Sequence, residues 1–276
     1  MNINFSPLII IFIFTGCLSS IPTLQERKES LSVLSNKDFT QVNIQTSSFT
    51  LFSLQKTSNN CKNKDLKVYI EGDGLSWITR TTISANPTPI TPTALELMNQ
   101  DTSECKVYIA RPCQYINSNE CSKKYWTSNR FDEKVIKSFD EALSNLKDNY
   151  KNRSFTLIGY SGGGAIVTLV ASRREDINML ITVAGNVDTL KWTTIHNISR
   201  LNESLNPADY TKGLENIKQY HLIGKEDDVI PKEVFLSYLS KFENKDNITY
   251  KYYDATHNCC WKEPYKKFLE ELNIKE

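Results

Sequence analysis

A serine lies in a turn where its hydroxyl could act as a nucleophile. Residues 157–164 read LIGYSGGG, so an apolar strand pattern passes through G-x-S-x-G around Ser161 into an apolar helical pattern beginning near Ala165. So sharp a turn needs small neighbours, which Gly159 and Gly163 supply, and it aims a helix N-terminus at the reacting oxygen. The spacing does not fit the glycine-rich loops that bind phosphate. The segment therefore predicts a nucleophilic serine.

This turn and its flanks resemble those of the α/β-hydrolase superfamily, and the resemblance covers nearly all of the chain from about Phe39 onward. In that superfamily the nucleophile, the acid and the histidine follow one another along the chain. Among His196, His221 and His257, only His257 has both Ser161 and an acid before it, and it lies between the last predicted strand and the last predicted helix. The resemblance implies that His257 is the general base, whereas His196 suits a lid or the core and His221 a strand.

The acid of the triad is expected in residues 224–231, GKEDDVIP, which are similar to the family's G-x-x-D-x-x-V-P. Asp227 occupies the acid position. Its carboxylate would accept a hydrogen bond from His257 and stabilise the imidazolium that forms when Ser161 gives up its proton. Asp228 is the immediate rival, and the two carboxylates could instead cap the helix that follows.

An acyl-transfer site also needs donors for the developing oxyanion. The N–H of Gly162 is the first candidate. By the same resemblance the second comes from residues 71–74, EGDG, which stand in the place of the family's His-Gly-x-Gly with Glu71 for the histidine. We assign it to the N–H of Asp73, with Gly74 as its neighbour. A simple surface turn is the alternative for these residues.

Side chains so far apart in the chain need a scaffold that gathers them, and the hydrophobic pattern indicates one. An antiparallel pair is expected at residues 39–44 and 49–54, after which short apolar strands mostly alternate with helical segments. The later strands are expected at 67–70, 106–110, 155–158, 180–184, 219–223 and 248–252, and the helices at 93–99, 131–147, 162–174, 232–242 and 263–272. The prediction is an α/β fold with a mostly parallel central sheet of about eight strands flanked by helices, its ligand beyond the carboxyl ends of the strands.

Two segments beyond strand ends could shape the substrate pocket. Residues 186–216 lie where this fold commonly inserts a lid, within a hydrolase domain predicted to span 39–276. Residues 111–115, RPCQY, and the pair Tyr125 and Trp126 could line an acyl or alcohol pocket, or could pack under a disulfide-tied loop. The sequence does not distinguish these two roles.

The charge balance gives no case for a nucleic-acid partner. The 276 residues carry 33 Lys and Arg against 32 Asp and Glu, a formal net charge of +1, which supplies no attraction for a polyanion. With 39% hydrophobic residues the chain can bury a full core, which excludes a disordered protein. No cofactor is needed, because the nucleophile, the base and the oxyanion donors are all supplied by the chain.

The number of cysteines agrees with an oxidising compartment. Without Cys17, six remain, an even set that suits disulfides. The chain has no C-x-x-C pair and only three histidines, so no metal site is expected. Cys61 and Cys105 each precede a predicted strand and would lie at the same end of a parallel sheet, so we favour a bridge between them.

The other four cysteines leave alternatives open. Cys113 and Cys121 bracket one short loop, and we favour a bridge there too. The adjacent Cys259 and Cys260 would then form a vicinal disulfide or stay as free thiols. A rearranged set that links them to Cys113 or Cys121 is also possible.

The N-terminus has the pattern of an export signal. Residues 8–14, LIIIFIF, are too short an apolar run for a membrane-spanning helix, which needs about 20 residues, but long enough for a signal peptide. Residues 14–17, FTGC, resemble a bacterial lipobox, in which cleavage before the cysteine precedes its acylation. The resemblance implies a signal peptide at 1–16, a lipidated Cys17 and a polar tether to residue 38. In a bacterium with two membranes, Leu18 favours the outer one.

These features together predict an exported, lipid-anchored serine hydrolase that cleaves a small-molecule or lipid ester through an acyl-enzyme and meets the membrane through its anchor. One alternative is a surface lipoprotein whose hydrolase fold is catalytically silent and binds a ligand or a partner. Others are an acyltransferase, a thioesterase or a peptidase, because the same triad serves all these reactions.

Overall fold

Within the part of the chain that the structure describes, one sheet of eight strands forms the middle. The computed structural model describes residues 21–35, 39–56 and 61–273, so the predicted signal peptide, Cys17 and Leu18 lie outside the described residues. The strands are β1 (Phe39–Gln45), β2 (Thr50–Lys56), β3 (Asp65–Ile70), β4 (Lys106–Ile109), β5 (Ser154–Tyr160), β6 (Ile177–Val183), β7 (Lys218–Gly224) and β8 (Ile248–Tyr253).

The strand order explains how distant loops meet. From edge to edge the order is β1-β2-β4-β3-β5-β6-β7-β8. β2 pairs antiparallel with β1 and β4, and every later neighbour pairs in parallel. The predicted mostly parallel sheet is therefore confirmed. Because parallel strands end at one edge, the loops after β3, β5, β7 and β8 share that edge of the sheet.

Helices cover both faces of the sheet. They are α1 (Leu24–Leu34), α2 (Thr93–Gln100), α3 (Glu133–Tyr150), α4 (Gly162–Ala171), α5 (Thr189–Ile195), α6 (Lys232–Leu239) and α7 (Lys262–Asn273). Buried residues of α3, α4 and α6 form a core with one face, and those of α1, α2 and α7 form a core with the other. In β5, Leu157 belongs to the first core and Ile158 to the second, which is why the central strands read as continuous apolar runs. Within the described ranges, no helix is both long and apolar enough to cross a bilayer.

Residues 24–34, inside the segment predicted as a tether, form α1 instead. A capping box between Thr23 and Glu26 starts this helix. Arg27 then donates from Nη1 to the backbone carbonyls of Asn86 (3.2 Å) and Thr88. Leu31 is the buried leucine of the helix. The hydrophobic pattern of α1 is weak because one leucine and one arginine do most of the docking, so the sequence indicated only a polar stretch.

Two of the three cysteine pairs in the described residues are those that the sequence favoured, and the third is one of the alternatives that it left open. The pairs are Cys61–Cys105, Cys113–Cys121 and Cys259–Cys260. The first ties together the segments that enter β3 and β4, and the second closes the loop after β4. The third forms a vicinal pair close to His257.

Candidate active site

The turn between β5 and α4 holds Ser161 in a strained backbone conformation. Its φ of 52° and ψ of −120° lie where side chains other than glycine are rare, at a cost of about 1–3 kcal/mol. The N–H of Ser161 donates to the carbonyl of Val183 (3.0 Å), and its carbonyl accepts from the N–H groups of Gly164 (2.9 Å) and Asn186 (3.0 Å). Surrounding hydrogen bonds therefore hold the strain in place.

The glycines around the turn leave no room for a side chain. A Cβ on Gly159 would lie 2.3 Å from the carbonyl oxygen of Gly163. A Cβ on Gly163 would lie 2.3 Å from the carbonyl oxygen of Ile70 and 2.7 Å from that of Glu71. The motif glycines thus let α4 pack directly on the end of β3, which brings the loop after β3 to the serine.

Asp227, His257 and Ser161 form one chain of hydrogen bonds. The Nε2 atom of His257 lies 2.9 Å from the Oγ of Ser161, and its Nδ1 atom lies 2.9 Å from an Oδ of Asp227. An ionised carboxylate can only accept, so Nδ1 carries the proton and Nε2 is left to accept from the serine hydroxyl. All three residues are buried. The arrangement can move the serine proton to His257.

The position of Asp228 separates the two candidate acids. Its side chain is exposed, whereas Asp227 is buried and accepts hydrogen bonds from the N–H groups of Val229 (3.0 Å) and Ile230 (2.7 Å). Helix α6 has Pro231 at its N-cap and no capping side chain among the described residues. The structure therefore places Asp227 on the histidine, and neither carboxylate caps α6.

Two aromatic residues that the sequence analysis did not assign to the site hold His257 in place. The hydroxyl of Tyr160 donates to the backbone carbonyl of His257 (2.8 Å), and the indole Nε1 of Trp261 donates to the same oxygen (3.1 Å) and to that of Thr256 (3.0 Å). Tyr160 occupies the variable position just before Ser161, so the nucleophile's own turn also orients the base. Their only sequence signal is their position next to the triad segments.

The loop after β3 lies against the serine. A Cβ on Gly72 would be 3.3 Å from the Cβ of Ser161, and Gly74 adopts a φ of 65° that favours glycine. Among the described residues, the N–H groups of Gly162 and Asp73 donate to no other group. In that part of the chain neither amide is engaged by another group, so both stay candidate donors to an oxyanion.

The buried side chain of Glu71 holds this loop in place through hydrogen bonds. Its carboxylate accepts from the N–H of Gly72 (2.9 Å), the N–H of Ala94 at the start of α2 (3.2 Å) and the hydroxyl of Tyr108 (3.1 Å). Glu71 is 1% exposed, and its burial raises its pKa to about 7. The hydrogen bonds to its carboxylate lower the pKa, but burial has the larger effect. The residue in place of the family's histidine is therefore a support of the loop.

Polar residues from the loop after β4 and the segment before α3 also meet the loop after β3. Arg111 and Arg130 bind the two oxygens of Asp73 at 2.8 and 2.6 Å. Gln114 donates from Nε2 to the carbonyl of Gly72 (2.9 Å). The RPCQY segment thus supports the candidate oxyanion loop through Arg111 and Gln114. No sequence motif marks Arg130 or its neighbours, so its role was not predictable from the sequence.

The aromatic pair beyond β4 contributes packing. The ring of Tyr125 meets that of Phe49 edge-on with centroids 4.8 Å apart, and the indole of Trp126 donates to the carbonyl of Ser84 (3.2 Å). Of the two roles left open by the sequence, packing describes these two residues.

A family comparison assigns the chain on the basis of most of its length. Residues 79–265, which include Ser161, Asp227 and His257, match the family model described as Serine hydrolase (FSH1). The chain belongs to this serine hydrolase family. A search of curated proteins finds no match for the hydrolase.

Solved structures with the same fold include several hydrolases. The chain is similar to the esterase Pf2001 from Pyrococcus furiosus (TM-score 0.61, 16% identity, 89% of this chain and 92% of that chain covered). It is also similar to Est1E from Butyrivibrio proteoclasticus (0.56, 14%, 86% and 99%) and to a predicted CIB-like hydrolase from Thermoplasma acidophilum (0.51, 15%, 85% and 95%). The expected α/β-hydrolase superfamily fold is therefore confirmed.

The predicted lid of the hydrolase is tied to the loop that carries the acid. Helix α5 lies in residues 186–216, and both Trp192 Nε1 and His196 Nε2 donate to the carbonyl of Val229 (2.8 Å each). His196 therefore lies in the predicted lid segment without joining the triad. His221 lies in β7 with Nδ1 2.7 Å from the hydroxyl of Thr182, and burial lowers its pKa to about 3, which keeps it neutral.

The two adjacent carboxylates provide a matched pair of variants. We expect Asp227→Asn to lower kcat/KM by about 10³–10⁴-fold, because an amide can donate to Nδ1 and stabilise the wrong tautomer of His257. Asp228→Asn changes an exposed group and is expected to stay within about twofold of the wild type. Hydrolysis of p-nitrophenyl acetate by both variants, with circular dichroism as the folding control, checks this. Equal losses in the two variants would contradict the assignment.

Glu71 is expected to make stability fall as the pH rises. Its pKa is raised on folding, so the folded state holds the proton more tightly, and the resulting stability is complete below about pH 4.5 and lost by about pH 7. Glu71→Gln removes this dependence. The unfolding free energy of the wild type, measured in urea between pH 4.5 and 7.5, should decline relative to that of the variant by up to about 3 kcal/mol. Parallel curves would show that Glu71 does not titrate in this range.

Proposed function

We propose that this serine hydrolase cleaves carboxylic esters through an acyl-enzyme formed on Ser161. The observation that carries the proposal is the unbroken hydrogen-bond chain from Asp227 through His257 to Ser161. The two ring nitrogens of His257 each lie 2.9 Å from their partner oxygen. The two free amides of Gly162 and Asp73 beside the serine support it.

The first half of the reaction forms the acyl-enzyme. The Oγ of Ser161 attacks the ester carbonyl carbon while its proton passes to Nε2 of His257. The carbonyl oxygen becomes an oxyanion that accepts hydrogen bonds from the amides of Gly162 and Asp73. When the intermediate collapses, the bond to the alcohol oxygen breaks, and that oxygen takes the proton from His257. Asp227 stabilises the imidazolium between these two transfers.

The second half releases the acid. Water gives a proton to Nε2 of His257 as its oxygen attacks the acyl carbon, and the same two amides hold the second oxyanion. Collapse returns the proton to the Oγ of Ser161 and frees the carboxylic acid. If an alcohol or amine acceptor enters in place of water, the same steps give acyl transfer.

An ester is the substrate class that the comparisons favour. Pf2001 is named as an esterase, and its similarity covers 89% of this chain. Thioesters and amides are the alternative substrates, and an alcohol or amine is the alternative acceptor of the acyl group. Each is compared by adding it to the p-nitrophenyl acetate hydrolysis assay.

We further propose that the hydrolase is exported and that lipid on Cys17 anchors it to a membrane. In a bacterium with two membranes, this would be the outer membrane. The apolar run at residues 8–14 and the FTGC segment support this. The three cysteine pairs also suit an oxidising compartment.

A fluorophosphonate probe tests the activated serine without a guess at the substrate. Wild-type protein is expected to be labelled, because His257 makes the hydroxyl of Ser161 nucleophilic. Ser161→Ala and His257→Ala should lose the label while remaining folded. A folded wild type that takes no label would favour the catalytically silent binding protein, and label retained by Ser161→Ala would place the nucleophile elsewhere.

Metabolic labelling with a clickable palmitate analogue tests the anchor. The full chain expressed in a bacterium should incorporate the label and fractionate with membranes, whereas Cys17→Ser should do neither. Ser19→Ala, which keeps the cysteine, is the matched control. Equal labelling of the Cys17→Ser chain would contradict lipidation at this position.

A further inference from the structure

Asp73 brings a negative charge to a place that must stabilise an anion. Its Oδ1 atom lies only 2.2 Å from where a Cβ on Gly162 would be, so the carboxylate sits directly against the first residue of α4. The amides of these same two residues are the proposed oxyanion donors. An unbalanced carboxylate there would repel the developing oxyanion, because nearby charges interact strongly where water is scarce.

Two arginines balance this charge. Arg111 Nη1 lies 2.8 Å from one oxygen of Asp73, and Arg130 Nη1 lies 2.6 Å from the other. Their side chains are 4% and 7% exposed, so solvent and salt screen them little. Burial alone would raise the pKa of Asp73, yet Arg130 and Arg111 outweigh it and hold that pKa below its ordinary value. The cluster carries a net charge of +1 beside the serine.

Contacts other than Asp73 keep both guanidinium groups in place. Arg111 donates from Nη2 to the carbonyl of Arg130 and lies over the ring of Phe131, 5.2 Å from its centroid. Arg130 donates from Nε to the carbonyl of Thr127 (2.7 Å). The positive charges are therefore fixed in the loops after β4 and before α3, as a preorganised electrostatic site requires.

We infer that Arg111 and Arg130 are positioning residues that neutralise Asp73, so that the oxyanion meets a local charge of +1 and not −1. They act on hydrolysis through Asp73 and contribute to the transition state more than to binding of the neutral ester. The inference rests on the proposed ester hydrolysis.

The test is a double-variant cycle on full-length protein with p-nitrophenyl acetate. Arg130→Met should lower kcat by about 10–100-fold with KM within about threefold, because charge develops only in the transition state. Adding Asp73→Asn, which removes the carboxylate and keeps the backbone N–H, should recover about tenfold or more of kcat. If the double variant is no faster than Arg130→Met, the arginine does not act through Asp73 and the inference is wrong.

Arg130→Lys tests charge separately from shape. It keeps the cation, so its kcat should lie clearly above that of Arg130→Met even if it binds Asp73 at one point only. Equal kcat values for the two would overturn the inference. If Arg130→Met yields too little folded protein to assay, Arg111→Met takes its place in the cycle with the same expected recovery, and Arg111→Lys takes the place of Arg130→Lys.

A matched ion pair near the amino end of β6, away from the active site, controls for loosening of the fold. Arg174, which follows α4, binds Asp176 at 2.8 Å and is 11% exposed. Arg174→Met should lower the melting temperature and leave kcat within about twofold. A kcat loss equal to that of Arg130→Met would assign the effect to stability and contradict the inference. Absence of hydrolysis in the wild type would instead contradict the proposed function, on which the inference rests.

Discussion

The backbone of Ser161 is the constraint on which the rest of the site depends. A residue with a side chain is held at positive φ between a buried strand and a buried helix, and only glycines at 159 and 163 permit the two elements to approach so closely. Hydrogen bonds between Ser161 and the neighbouring strand β6 and the loop after it offset this backbone strain. As a result, the Ser161 hydroxyl has a fixed position beyond the end of β5, and the first amide of α4 stays free. The carbonyl of Ile70 contacts the turn.

Fixed partners hold both the general base and the loop after β3 around that turn. His257 is held on both sides, by Asp227 through its ring and by Tyr160 and Trp261 through its carbonyl. The loop after β3 is held by Glu71 from below and by the arginines through Asp73 from the side. A site whose dipoles are fixed before the substrate arrives needs little reorganisation during the reaction, and this is the main source of electrostatic catalysis.

Local patterns predicted the parts of the site that lie within single segments. Ser161, Asp227 and His257 each follow a recognisable strand, so chain order and motif were enough to propose them, and the alternating pattern predicted the sheet. The supports were not predictable in this way. Arg130 meets Asp73 across 57 positions of sequence, and Tyr160 meets His257 across 97. Helix α1 was missed because it docks through so few side chains that no apolar stripe marks it.

The most direct test of the central claim is to identify the atom that carries the acyl group during turnover. The hydrolase is mixed with p-nitrophenyl acetate, quenched in acid at successive times and digested for mass spectrometry. We predict one acetyl group on the peptide that contains Ser161, present during p-nitrophenol release and gone when the ester is exhausted. Release of p-nitrophenol at the full rate while Ser161 stays unmodified and another residue carries the acetyl group would contradict it.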